Sequence, residues 1–83
     1  MPEVEIGKVS AFFAHPVVAG IQLTAPLKQG DKIHIVGHTT NIEMTVDSMQ
    51  IDNVVVQQAK KGDAIGLKVK DRVRQGDTVY KVS

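Results

Sequence analysis

Four cationic side chains occupy alternate positions late in the sequence: Lys68, Lys70, Arg72 and Arg74. Between them Val69 and Val73 continue the apolar parity begun by Ile65 and Leu67. On an extended strand, alternate side chains leave one face roughly 6.5–7 Å apart, so the four would make a basic row on the order of 20 Å long. That length is comparable with a few phosphates of an extended nucleic-acid strand. Each phosphate neutralised releases counterions, so such a contact weakens steeply with salt. Lys60 and Lys61, just upstream, join the row as candidate nucleic-acid-binding residues. The same pattern also fits a solvated strand face, because Lys and Arg protect β-proteins from edge-to-edge pairing.

Other chemistries find less support. His34 and His38 are four residues apart, about 13 Å along a strand, whereas two zinc ligands must each sit about 2 Å from the ion. Only a sharp reversal at Gly37 would unite them, and His15 lies in a turn beside Pro16. These residues read as turn or surface histidines. Asp31, Asp63 and Asp77 each follow a glycine and are explained by turn chemistry. Ser10, Ser48 and Ser83 lack any nucleophile-elbow context. No catalytic residue, metal ligand or cofactor site is assigned, and the chain is expected not to be an enzyme. Phe12, Phe13 and Tyr80 are too few for a base-stacking platform. Tyr80 shares parity with Val82 and is assigned to the core. Phe12 and Phe13 cannot both face inward on a regular strand, so one of them is a candidate anchor for a protein or RNA partner.

Composition sets the frame for these side chains. The chain has 83 residues, enough for one modest core, and no cysteine for disulfides or thiolate metal sites. The net charge of +1 hides an asymmetry. Residues 1–59 carry three Lys against six acids, net −3; residues 60–83 carry seven bases against three acids, net +4. The acidic, weakly apolar start Met1-Pro2-Glu3-Val4-Glu5 is unlike a secretory signal, and no apolar run is long enough to span a membrane. The expectation is a cytoplasmic protein of one domain covering residues 1–83.

The elements that must position these groups read as strands throughout. Three times the chain writes Gly-Asp and runs into an alternating apolar stretch: Gly30-Asp31 before Lys32–Val36, Gly62-Asp63 before Ala64–Lys70, and Gly76-Asp77 before Thr78–Val82. Earlier strands are expected over Val4–Phe13, with Val9, Ala11 and Phe13 on one face, and over Val17–Thr24 after the break at His15-Pro16. Gly37-His38-Thr39-Thr40-Asn41 reads as a hairpin tip. A long fourth strand, Ile42–Ile51, changes phase near Asp47-Ser48, the trace of a β-bulge. Val54, Val56 and Ala59 are expected to pin the connection from Asp52 to Lys61 onto the core. Six short strands separated by turns predict an all-β fold, a small closed six-stranded β-barrel.

The order of these turns resembles a known module. Ile6-Gly7-Lys8-Val9, Leu27-Lys28-Gln29-Gly30-Asp31-Lys32-Ile33 and Val46-Asp47-Ser48-Met49-Gln50-Ile51 carry its first half. Ala59-Lys60-Lys61-Gly62-Asp63-Ala64-Ile65-Gly66-Leu67 and Arg74-Gln75-Gly76-Asp77-Thr78-Val79 complete it. Together they look like the second, β-barrel domain of translational GTPases such as elongation factor Tu, elongation factor G and initiation factor two. Free-standing elongation-factor-like proteins and a barrel appended to collagenase-like peptidases are similar as well. The resemblance implies a translation-factor barrel that contacts tRNA, ribosomal RNA or the ribosome. No Gly-x-x-x-x-Gly-Lys-Ser/Thr loop is present, so no nucleotide is expected.

Two functions remain open from the sequence. The first is a non-enzymatic, translation-related binding module that captures RNA through residues 68–74. The alternative is a protein-interaction or scaffold subunit. It would dock onto a separately encoded enzyme or self-associate, through Phe12 or Phe13 with the outward-facing Val18 and Val55.

Overall fold

The computed structural model describes residues 3–14, 17–52 and 54–82. They form ten β-strands and turns, with no helix among them. The strands are β1 (Glu3–Ala14), β2 (Val17–Leu23), β3 (Leu27–Lys28), β4 (Lys32–Val36), β5 (Asn41–Thr45), β6 (Met49–Ile51), β7 (Val54–Val56), β8 (Gln58–Ala59), β9 (Ala64–Lys68) and β10 (Thr78–Val82). Eight make one sheet in the order β5-β4-β10-β1-β2-β9-β6-β7, all neighbours antiparallel. The sheet wraps around a core built from Ile21, Leu23, Ile33, Ile35, Met49, Leu67 and Val79, each at most 1% exposed. The ribbon β3–β8 adds Leu27 and Ala59 to that core.

The three Gly-Asp sequences build one device three times. Each glycine has a positive φ (94° at Gly30, 93° at Gly62, 96° at Gly76), which a residue with a Cβ adopts only at a cost. Each aspartate N–H donates to the carbonyl three residues back, from Asp31 to Lys28, Asp63 to Lys60 and Asp77 to Arg74, at 3.0–3.1 Å. Its carboxylate accepts the N–H of that same residue at 2.8–3.0 Å. The turn then clasps one core residue of another segment. Gly30 N–H donates to Val46 O while Val46 N–H donates to Asp31 O; Leu23 and Val9 are held identically by the second and third turns. All three clasped residues are buried. The repeated sequence is therefore a repeated anchoring of the fold.

Several expectations are corrected. The sheet does not close: among the described residues β5 and β7 each pair on one side only, and there are ten strands, not six. The fourth strand divides, because the clasp on Val46 turns the chain from β5, paired with β4, to β6, paired with β9. Register irregularities appear instead in β1, between Glu5 and Gly7 and between Val9 and Ala11. The second sets Val9, buried, on the opposite face from Ala11 and Phe13. Tyr80 pairs with His34 and Glu5 on the outer face, half-buried, while Val79 fills the core. Val54 is 61% exposed instead of pinned inward. The expected break at His15-Pro16 lies outside the described residues.

Candidate docking face

β1, β2, β9, β6 and β7 present an unusual outer surface. Partners in antiparallel register share a face. One row across β1, β2, β9, β6 and β7 therefore reads Ala11, Gly20, Gly66, Gln50 and Val55. The next row reads Phe13, Val18 and Lys68. Four strand spacings make this face roughly 19 Å wide. The bulge before Ala11 turns Phe12 inward, where it packs against the core opposite Ala19, and leaves Phe13 58% exposed. Val55 is 66% exposed. An apolar ring thus stands at one side of the face and an apolar strand at the other.

Between them lies a floor of two mid-strand glycines, which lower strand stability relative to side-chain-bearing residues. Packing does not require either. A Cβ on Gly66 would meet only Val18 Cγ1 at 3.6 Å, and one on Gly20 would meet Ala11 Cβ and Ser10 Oγ at 3.4 Å. Gly66 lies in a shallow depression of about 260 Å³ lined also by Val18, Ser48, Gln50 and Lys68. Such a floor lets another backbone or side chain approach closely. Another concavity, about 700 Å³ beside β3 and β8, is lined mainly by polar Lys28, Gln29, Gln57 and Gln58.

The basic residues are divided by the fold. Lys68 is exposed beside Val18, but β9 ends there, so the expected extended row stops after one member. The chain bends at Lys70 and Asp71, with Val69 N–H donating to Val17 O and Arg74 held by the Asp77 carboxylate. Lys70, Arg72 and Arg74 are exposed along this loop, beyond the end of β9 that meets the apolar face. Lys60 and Lys61 lie on the second Gly-Asp turn, at the other end of β9, beside Leu23. Lys60 and Lys61 thus stand at the start of β9, and Lys68, Lys70, Arg72 and Arg74 at its end and beyond.

On the remaining outer face, His34 is not a plain surface histidine. Its Nδ1 lies 2.8 Å from Glu3 Oε2 and its Nε2 2.5 Å from Asn41 Oδ1. The Asn41 bond chiefly raises its pKa above 6.5, with Glu3 and Glu43 adding to it and partial burial opposing. Glu3, His34 and Glu43 are the described residues whose donor atoms come close enough together to hold a metal ion. Sequence spacing missed them because Glu3 and His34 are 31 residues apart.

No family model matches the chain. It is 47% identical over 79 residues to an uncharacterised protease of Methanocaldococcus jannaschii, covering 94% of this chain and 19% of that protein. A collagenase of Porphyromonas gingivalis is 31% identical over 81 residues, covering 95% of this chain and 20% of the enzyme. The chain therefore spans about a fifth of the length of the curated relatives it matches. Among solved structures, the C-terminal domain of a Geobacillus thermoleovorans protein assigned to the U32 peptidases has the same fold. Its TM-score is 0.88 at 17% identity, covering 98% of this chain and 93% of that one.

These findings overturn the translational-GTPase resemblance and the translation-related RNA module drawn from it. The sequence relatives are a protease and a collagenase, and the solved domain shares the fold. The expectation that the chain is not an enzyme falls as well, since the sequence relatives bear protease and collagenase names. Nothing in them supports tRNA, ribosomal RNA or the ribosome as partner. Among the described residues, no helix is long and apolar enough to cross a membrane.

Proposed function

We propose that residues 1–83 act as one docking unit of a U32-type peptidase, seating their apolar outer face on its catalytic body. The observation that carries this is the exposure of Phe13 and Val55 on either side of a Gly20/Gly66 floor that packing does not require. Exposed apolar patches on small proteins mark interaction sites, and buried aromatic side chains are frequent anchors there. Lys68 on this face, with Lys70, Arg72 and Arg74 beyond it, suits a partner surface that is apolar at its centre and acidic at its edge. The likeness to about a fifth of a protease and of a collagenase supplies the partner class.

The test uses the Methanocaldococcus jannaschii protease expressed without its matching segment. This chain, added separately, should bind it one to one in calorimetry, and a Phe13→Asp/Val55→Asp variant should bind roughly tenfold or more weakly. The variant's urea midpoint should stay close to that of the parent, since both side chains are exposed. No association at about 100 µM, where even weak docking registers, would sink the proposal. So would a homodimer that the double substitution dissolves.

A further inference from the structure

On the opposite half of the outer face, the geometry points to a binding site for a divalent transition-metal ion of the zinc class, formed by Glu3, His34 and Glu43. The three residues come from β1, β4 and β5. His34 and Glu43 are direct partners across the β4–β5 ladder, and Glu3 reaches over β10, where Tyr80 stands opposite His34. Their donor atoms all lie within 4.8 Å of one another. Ligands about 2.0–2.2 Å from a tetrahedral ion are separated by about 3.4 Å, so small side-chain rotations suffice to gather them. Strands hold such a constellation more precisely than loops do.

The surroundings fit a metal better than an ion pair alone. Asn41 Oδ1 is placed to accept the Nε2–H of His34, so that an ion displacing the Nδ1 proton shared with Glu3 would meet the Nδ1 lone pair. A metal-binding imidazole typically has its other ring N–H held in this way. Glu43 has no hydrogen-bond or ion-pair partner among the described residues, although it faces the imidazole directly. One imidazole and two carboxylates suit zinc, cobalt or nickel rather than calcium or magnesium, which prefer all-oxygen shells. Three protein ligands leave a fourth position for water or another donor.

The experiment is metal titration of the tag-free full chain at pH 7.5. Cobalt(II) should bind at one equivalent with a tetrahedral visible spectrum, zinc should displace it, and the Kd should be on the order of 10 µM. Zinc should shift the ring nitrogens of His34 in NMR and leave those of His38 unmoved. His34→Gln and Glu43→Gln should each weaken binding roughly tenfold or more, while His38→Gln should not. Urea midpoints confirm that each variant is folded. Absence of binding up to about 1 mM zinc, weaker than any three-ligand site of use, would overturn the proposal. Binding that survives both ligand substitutions in folded protein would overturn it as well.

Discussion

The outer face of the sheet has two halves, and β1 belongs to both. Its first residues, with β10, β4 and β5, set Glu3, Glu5, Tyr80, His34, Asn41 and Glu43 outward, and His34 there bonds both Glu3 and Asn41. Its last residues, with β2, β9, β6 and β7, set Phe13, Val18, Gly20, Gly66 and Val55 outward, where the apolar groups have no cover. Both halves rest on one core and one pattern of clasped turns. The difference teaches that the fold does not dictate the outer surface. One half is furnished for polar, directional contacts, the other for burial against something larger.

Glycines separate the two regions most sharply. A Cβ on Gly37, at the end of β4, would come within 1.8 Å of Asp77 Oδ1. That carboxylate is buried and holds Arg74 N–H, so the third clasp would have to shift. Gly37→Ala should cost about 2–3 kcal/mol, read from urea unfolding. Gly66→Ala, on the apolar face, should instead stabilise by about 0.5–1 kcal/mol, because a Cβ there meets only ordinary contacts. Equal and large losses at both positions would mean that the Gly20/Gly66 floor is a packing requirement, and the docking argument would lose its basis.

Next in size is the pair at which β1 changes character. Phe12 packs against the core, so Phe12→Ala should cost about 2–3 kcal/mol. Phe13→Ala should stay within about 0.5 kcal/mol, as exposed positions do. A reversed order would put the wrong ring outside. This pair also marks the limit of sequence reading. The Gly-Asp turns were legible because positive φ and carboxylate capping are local rules, and Ile33, Ile65 and Val79 follow each turn into the core. The phase of Phe12 and Phe13 was not legible, because the irregularity between Val9 and Ala11 has no local residue signature. The choice was made by pairing with Ile21 and Gly20. The Glu3–His34–Glu43 cluster was hidden for a related reason, since it exists only once β10 lies between β1 and β4.

The smallest expected effect tests whether the polar half stabilises the fold. In metal-free buffer, His34 has its pKa raised above 6.5, first by Asn41 Oδ1 and then by Glu3, with Glu43 opposite and burial working against them. A raised folded-state value means that the folded chain holds the proton more tightly than the unfolded one. The resulting stabilisation is fully present below pH 6.5 and is lost as pH rises through the folded value. The urea midpoint of the parent chain, minus that of His34→Gln, should therefore be larger at pH 5.5 than at pH 8. Subtracting the variant removes the pH dependence that the two chains share. A difference that stays flat with pH would show that Glu3 and Asn41 do not hold a charged imidazole. The two halves would then differ in chemistry but not in what they contribute to stability.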